Sequence, residues 1–200
     1  MIADIALDFL IQIKDKLPDN AIFVAPHARE ATGDNAIPQV LSAACAMVTQ
    51  GQVETDIVQI TRVFHTGADP MERMGLRAQF DGNVIPGARY VLVDDVTNMG
   101  GTLAELADYL LARGGLVLAV VVLVNAGRNK HFLPSKSVIR DLERRYGNEI
   151  TEIFGIAPSA LTANEANYVI GFKTADQIRN RLAKARKETS LRLRSKGIGG

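Results

Sequence analysis

Residues 90–102 read Tyr90-Val-Leu-Val-Asp94-Asp95-Val-Thr97-Asn98-Met99-Gly100-Gly101-Thr102. Four apolar residues predict a buried strand, and two adjacent carboxylates follow at its carboxyl end. A short loop rich in glycine and threonine then leads to a helix that is expected to begin at Gly101. Ligands of open α/β sheets bind outside the carboxyl ends of the strands, so this segment marks both the fold class and the candidate site.

The residue types in this segment suit a sugar phosphate. Asp94 and Asp95 can accept hydrogen bonds from a polyol and help to hold a divalent cation. The glycine-rich turn lets consecutive backbone N–H groups converge on an oxyanion, and the threonine hydroxyls add further donors. The helix at Gly101 contributes the positive end of its dipole, which is worth roughly 0.3–1 kcal/mol to an anion in the first turn.

Strands and helices alternate on both sides of this segment, which is the pattern of an α/β, doubly wound, mainly parallel sheet. Residues 116–124 are uniformly apolar, which predicts a strand that is covered on both faces. Residues 65–81 are polar and are interrupted by glycine and proline, so they predict a long mobile loop. The remaining predicted elements are helix 2–17, strand 21–25, helix 37–50, strand 56–64, helix 101–112 and helix 134–146.

The composition changes after residue 149, which predicts a small appendage on the sheet domain. Two capping boxes, Thr162-x-x-Glu165 and Thr174-x-x-Gln177, each begin a helix, and Tyr168-Val-Ile is predicted to be a short strand between them. We therefore divide the chain into an N-terminal helical segment 1–19, an α/β core 20–148, an appendage 149–188 and a flexible basic tail 189–200.

The composition excludes several classes of protein. With 47% hydrophobic and 22% charged residues among 200, the chain is not a largely disordered one. The longest apolar run, Leu116 to Val124, has nine residues, far short of the roughly 20 that a membrane span requires. We expect no export signal, because the N-terminus has an acid where a signal peptide carries positive charge. A single cysteine, Cys45, excludes a disulfide within the chain. We expect a reducing, cytoplasmic setting without a membrane.

Residues 90–102 resemble the phosphoribosyl pyrophosphate signature of the type I phosphoribosyltransferases, in which two acids precede a loop that ends in Gly-x-Thr or Gly-x-Ser. The resemblance implies that Asp94 and Asp95 bind the ribose hydroxyls and stabilise positive charge on the reacting ribose. It also implies that the loop wraps the 5′-phosphate through Thr97, Asn98, Met99, Gly100, Gly101 and Thr102.

The resemblance also implies a reaction and a cofactor. A ring nitrogen of a small base would displace pyrophosphate from C1 of phosphoribosyl pyrophosphate, with Mg²⁺ bridging pyrophosphate and ribose oxygens. Asp94 is the candidate for a direct metal ligand. A homodimer is expected because dimers are usual in the family.

Two further segments correspond in position to parts of such enzymes. The loop after the first strand would bind pyrophosphate through Pro26, His27, Ala28 and Arg29. Residues 65–81 would close over the reacting centre and exclude water, with Arg73 and Arg77 as candidates to neutralise the departing pyrophosphate. The alternative for both arginines is that they are solvated charges of the loop.

Asn98 and Met99 depart from the family pattern. Members that use 6-oxopurines carry a carboxylate where Asn98 stands, and asparagine cannot act as a base at neutral pH. Small or hydroxyl side chains are commoner at the position of Met99. The acceptor base therefore stays open. The hood that recognises it would come from residues 2–17 or 149–188, where the aromatic candidates to stack on a base or to pack in a core are Phe154, Tyr168 and Phe172.

A second function class stays open at this point. The segment Arg179 to Lys196 has eight basic residues against one acid, whereas the other 182 residues have 15 basic and 21 acidic ones. A basic end favours a non-catalytic regulator that senses the same ligand and binds nucleic acid. The competing interpretation, which we prefer, is a solvated amphipathic helix followed by a polar tail. The three histidines, His27, His65 and His131, are too scattered to predict a metal site.

Overall fold

The computed structural model describes residues 2–27, 36–61 and 69–195, which divide into two compact units. The sheet unit comprises described residues up to 61 together with 78–97 and 105–126. The helical unit comprises described residues 69–77, 98–104 and 127–195. The elements are α1 (Ile2–Lys14), β1 (Ile22–Val24), α2 (Ala36–Thr49), β2 (Gln52–Glu54), β3 (Val58–Gln59), α3 (Pro70–Gly75), β4 (Phe80–Asp81), β5 (Arg89–Thr97), α4 (Gly101–Leu111), β6 (Leu116–Asn125), α5 (Lys136–Tyr146), α6 (Glu149–Phe154), α7 (Ala163–Ile170) and α8 (Ala175–Ser195).

The sheet unit contains a four-stranded parallel sheet in the order β2-β1-β5-β6, so the expected α/β fold class is confirmed. Helix α2 packs against β1, β2 and β5, and α1 packs against α2. Between α2 and the sheet lies an apolar core that includes Phe23, Leu41, Cys45, Val91 and Val93. Strands β3 and β4 form a separate antiparallel pair. Of the strand predicted at 56–64, the described residues 56–61 are strand only at Val58–Gln59, and residues 62–64 lie outside the described residues.

Strand β5 is the centre of this arrangement and is longer than the sequence predicts. Residues Tyr90 to Val93 are fully buried, as four consecutive apolar residues should be in a sheet with neighbours on both sides. Pairing with β6 continues as far as Thr97↔Asn125. Asp94 and Asp95 consequently belong to the strand itself, in its last four residues, instead of following it.

Strand β6 corrects the prediction that residues 116–124 are covered on both faces. Leu116, Leu118 and Val124 are 49%, 46% and 51% exposed. Residues two apart on a strand share a face, so the exposed side chains form one stripe along β6. β6 is also an edge strand of this sheet. Uniform apolar composition therefore does not mean burial on both faces here.

The helical unit is larger than the expected appendage, because α5 belongs to it. Leu142 and Tyr146 of α5 are buried in one apolar cluster with Ile150, Val169 and Ile178. The boundary by contacts falls after residue 126, whereas the sequence placed it after 148.

Three local predictions in this unit are wrong. Tyr168-Val-Ile lies in α7, because the capping box at Thr162 begins a helix that runs through these residues. Residues 189–195, expected in a flexible tail, continue α8. Residues 70–75, expected in a loop, form α3, whose N-terminus is capped by Asp69.

His65 lies outside the described residues. Within the described part of the chain, no helix has the length and apolar character that crossing a membrane requires.

Candidate functional site

Asp94 and Asp95 lie near the carboxyl end of β5, in the sheet unit, and are coupled to each other. The backbone N–H of Asp95 donates to Oδ1 of Asp94 at 2.9 Å, and the N–H of Val96 donates to Oδ1 of Asp95 at 2.8 Å. Burial raises the pKa of Asp94 to about 7, and the side chain of Asp95 acts in the same direction through a hydrogen bond and its charge. The Asp94 carboxyl therefore changes between its protonated and ionised forms near neutral pH.

The predicted pyrophosphate loop begins at the same edge of the sheet. Strands β1 and β5 are parallel neighbours with Val24 opposite Leu92. Two residues further along each chain, the segment that follows β1 therefore reaches the level of Asp94. Pro26 and His27 are the described part of this loop, and the carbonyl of His27 accepts a hydrogen bond from Gln59 N–H at 2.7 Å. Ala28 and Arg29 lie outside the described residues.

Residues 98–100 belong to the helical unit, which fixes the conformation of this loop. Met99 is 8% exposed, and its side chain is part of the apolar cluster of that unit. Gly100 adopts φ +81°, a conformation that favours glycine. A Cβ there would also lie 3.1 Å from the ring of Phe132 and 3.3 Å from the methyl group of Thr162. The loop is thus packed tightly on its own unit.

Two side chains at the N-terminus of α7 bind carbonyls of this loop. The Thr162 hydroxyl donates to the carbonyl of Met99, and Nδ2 of Asn164 donates to the carbonyl of Asn98 at 3.0 Å. The Asn164 side chain also accepts from Asn129 N–H at 2.9 Å. Thr162 was singled out in the sequence only as a helix cap. Its hydrogen bond to the loop has no sequence signal, because the two residues lie 63 positions apart in the chain.

Gly101, the first residue of α4, lies against an ion pair. Arg77 Nη2 is 3.3 Å from Glu165 Oε1, and the Glu165 side chain is 1% exposed. A Cβ on Gly101 would lie 2.8 Å from the same Glu165 oxygen. Arg77 is therefore engaged with α7, and it is not the solvated loop charge that was its alternative.

The other predicted residues have simpler surroundings. Arg73 lies in the last turn of α3, where burial lowers its pKa. Thr97 ends β5, and its carbonyl accepts from Ala126 N–H at 2.8 Å. Thr102 lies in the first turn of α4.

The helical unit contains a cavity of about 470 Å³. Most of its lining residues belong to the segment that connects β6 to α5, and the others belong to α5 and α7. Its polar lining includes Asn129, Ser135 and Asn167, and its apolar lining includes Phe132 and Val138. Phe132 was missed in the sequence, where it is one aromatic residue in a polar loop. The aromatic candidates Phe154, Tyr168 and Phe172 instead pack against the apolar cluster, which is the core use that the sequence left open.

The basic C-terminal segment is extensively paired with acids of its own unit. Arg179 lies 3.1 Å from Glu149 and from Asp176, and Lys184 lies 3.8 Å from Glu188. Arg181 and Arg192 bind the carboxylates of Asp69 and Glu72, respectively. Four of the eight basic side chains of this segment therefore neutralise acids of the protein, which does not favour a nucleic-acid surface.

The described residues contain no group of three or more His, Cys, Asp or Glu side chains arranged to hold a metal ion. Among the described residues, Asp94 and Asp95 are the carboxylates at the carboxyl end of β5 that could hold a divalent cation. This donor set suits Mg²⁺, which is usually held by one or two carboxylates together with substrate phosphates and water.

Comparisons with known proteins agree with the motif. A family model described as phosphoribosyl transferase domain matches residues 10–162. Protein TraN of Escherichia coli is 34% identical over 191 residues, which are 93% of this chain and 43% of TraN. An uncharacterized protein of Haemophilus influenzae is 38% identical over 93 residues, or 46% of this chain and 21% of that protein. The chain thus spans less than half the length of these curated relatives.

Among solved structures, orotate phosphoribosyltransferase from Aeropyrum pernix has 24% sequence identity and a TM-score of 0.39. The match covers 62% of this chain and 59% of that one.

Proposed function

The chain belongs to the phosphoribosyl transferase domain family, and from this premise we propose that it transfers the 5-phosphoribosyl group from phosphoribosyl pyrophosphate to a nitrogenous base, releasing pyrophosphate. The observation that carries the proposal is the uninterrupted segment 90–102, in which a buried strand carries Asp94 and Asp95 near its carboxyl end and leads into a glycine loop of fixed conformation. A sugar phosphate needs acceptors for its hydroxyls and donors for its phosphate, and this segment supplies both.

Asp94 and Asp95 accept hydrogen bonds from the ribose hydroxyls and stabilise the positive charge that develops at C1 as pyrophosphate departs. Ionised carboxylates make the stronger hydrogen bonds to hydroxyl donors. Because burial raises the pKa of Asp94 to about 7, binding of the ribose below neutral pH releases a proton from this residue.

The 5′-phosphate is bound by the backbone of residues 97–101 with the hydroxyls of Thr97 and Thr102, at the positive end of the α4 dipole. These contacts are remote from C1, so their binding energy serves to position the reacting carbon.

Mg²⁺ would supply charge neutralisation for the pyrophosphate leaving group when it is bound with the substrate. Within the described residues, Asp94 and Asp95 are the protein groups that would hold it. The remaining ligands would be substrate oxygens and water.

For the acceptor we propose the cavity of the helical unit, because it combines an aromatic ring with several polar side chains, as sites for heterocycles do. Phe132 offers a stacking face, and Asn129 and Asn167 offer both donors and acceptors. The identity of the base follows from neither feature. Asn98, which stands where 6-oxopurine enzymes carry a carboxylate, argues against hypoxanthine and guanine. A homodimer and a cytoplasmic location stay predictions.

The test is a calorimetric titration with phosphoribosyl pyrophosphate and Mg²⁺, comparing the wild type with the Asp94→Asn/Asp95→Asn double variant. We expect micromolar binding by the wild type and its loss in the folded double variant. Asp141→Asn is the matched control, because it removes an exposed carboxylate of the helical unit that pairs with Arg144 of the same helix.

Absence of binding by the folded wild type would overturn the proposal. Where binding is found, a panel of purine, pyrimidine and other nitrogenous bases is screened for pyrophosphate release. Asn167→Ala tests the acceptor cavity: it should raise KM for the base and leave the affinity for phosphoribosyl pyrophosphate unchanged.

A further inference from the structure

The N-terminus of α7 binds two consecutive carbonyls of the glycine loop. We call residues Thr162–Glu165 the α7 clamp. Its Thr162 hydroxyl donates to the carbonyl of Met99, and its Asn164 amide donates to the carbonyl of Asn98. Both contacts lie within the helical unit, and both involve the segment that would bind the 5′-phosphate.

The geometry of the peptide group determines where the donors of this loop point. In a planar trans peptide, the carbonyl of one residue and the N–H of the next point in opposite directions. The carbonyl of Asn98 is bound by the clamp, so the N–H of Met99 is directed away from α7. The carbonyl of Met99 is likewise bound by Thr162, so the N–H of Gly100 is also directed away from α7. Two successive N–H donors thus face the same side, opposite the clamp.

The clamp is itself rigid. Thr162 and Glu165 are 2% and 1% exposed, and they form a complete capping box, in which Glu165 Oε2 accepts from Thr162 N–H at 2.9 Å. Asn164 is held from its other end, because its Oδ1 accepts from Asn129 N–H. Thr162 and Glu165 are buried and hydrogen-bonded to each other, and both ends of the Asn164 amide are bonded, so the clamp can impose one orientation on the loop.

We propose that Thr162 and Asn164 are positioning residues for the 5′-phosphate. They touch no substrate; they hold the carbonyls of Asn98 and Met99 so that the following N–H groups are aligned for phosphate oxygens before the ligand arrives. This inference rests on the proposed function, since it assigns a role in binding the same substrate. It predicts that the clamp governs affinity for the ribose phosphate end of the substrate and leaves affinity for pyrophosphate unchanged.

The experiment measures binding of two probes, ribose 5-phosphate and inorganic pyrophosphate with Mg²⁺, to the full chain by calorimetry. Thr162→Val keeps the shape and removes the hydroxyl donor. Asn164→Asp keeps the acceptor for Asn129 and replaces the donor to Asn98 by an oxygen. Each change should weaken ribose 5-phosphate binding by about tenfold, the effect of one lost hydrogen bond, with pyrophosphate binding unchanged.

Two matched variants separate positioning from the loss of a helix cap. Thr162→Ser retains the hydroxyl and should restore the wild-type affinity. Thr174→Val removes a comparable cap on a different helix, since the Thr174 hydroxyl accepts from Gln177 N–H at the start of α8. It should leave both affinities unchanged.

The outcomes distinguish this inference from the proposed function. A wild type that binds neither ribose 5-phosphate nor phosphoribosyl pyrophosphate overturns the proposed function, and the inference with it. A wild type that binds ribose 5-phosphate while Thr162→Val and Asn164→Asp bind it equally well overturns the inference alone. Equal losses for ribose 5-phosphate and pyrophosphate also overturn it, because a general disturbance of the fold would produce them. If Thr162→Val does not fold, Asn164→Asp decides.

Discussion

Replacing Asp94 by asparagine should stabilise the protein at neutral and alkaline pH while destroying its ligand site. Burial raises the pKa of this carboxyl from 3.8 to about 7, with Asp95 contributing in the same direction. The folded protein therefore binds the Asp94 proton more tightly than the unfolded chain does. Stability from this group is fully present below pH 4, falls as the pH rises toward 7, and is lost above it.

The magnitude follows from the same pKa. A tenfold change in proton affinity corresponds to about 1.4 kcal/mol, so ionising Asp94 in the folded protein costs at most about 4 kcal/mol. Solvent reaches part of the side chain and screens some of this cost, so we expect Asp94→Asn to gain about 2–3 kcal/mol at pH 8. Asparagine keeps the oxygen that accepts from Asp95 N–H, so that hydrogen bond should remain.

Urea unfolding of the wild type and Asp94→Asn, followed by circular dichroism at pH 5 and pH 8, measures the effect. The gain at pH 8 should fall by more than half at pH 5, where the folded carboxyl is protonated and only the unfolded chain ionises, and it should disappear near pH 4. Asp141→Asn serves as the control, because it makes the same substitution at a carboxylate that is 45% exposed and lies in the helical unit. A gain of the same size at both pH values would refute the argument, since burial of a charge would then not be its cause.

Three further substitutions test the packing around the loop and the role of α8. Gly101→Ala places a Cβ 2.8 Å from a buried oxygen of Glu165, so it should cost about 1–3 kcal/mol in urea unfolding and weaken ribose 5-phosphate binding; a wild-type midpoint would contradict the contact. Met99→Ala should cost about 2–4 kcal/mol because the side chain is 8% exposed, and a loss below about 1 kcal/mol would show that it does not anchor the loop. Arg192→Met should cost about 1–3 kcal/mol at pH 7 by removing a partner of buried Glu72, with unchanged retention on heparin; a clear loss of retention would instead favour the nucleic-acid alternative.

The sheet and its motif were predictable because their signals are local. The four consecutive apolar residues Tyr90–Val93 are buried in a strand with a neighbour on each side, and the acids and glycines that follow are contiguous in the sequence. The structure confirms the parallel sheet and the helix that begins at Gly101. The strand boundary was misplaced because pairing with β6 extends β5 through two acids, which a hydrophobicity pattern cannot reveal.

The helical unit was less predictable because its contacts join distant parts of the chain. The segment 98–104 lies between two strands in sequence, but it belongs by contact with residues 69–77 and 127–195. Helix α3 was missed because glycine and proline in its sequence resemble loop signals, although Pro70 is at a favourable first position and Asp69 is the cap. The exposed stripe of β6 was missed because composition does not report which neighbours a strand has.

Met99 is part of the local sequence motif and also takes part in the contacts between distant segments of the helical unit. In sequence it is a departure from the family pattern, where a small or hydroxyl residue is commoner, and it removes a side-chain contact to phosphate. In the structure the same side chain is buried in the apolar cluster of the helical unit, while its carbonyl is bound by Thr162. Buried apolar surface and a fixed carbonyl both restrict the loop. The residue that weakens the motif as a pattern therefore fixes the backbone on which the proposed phosphate site depends.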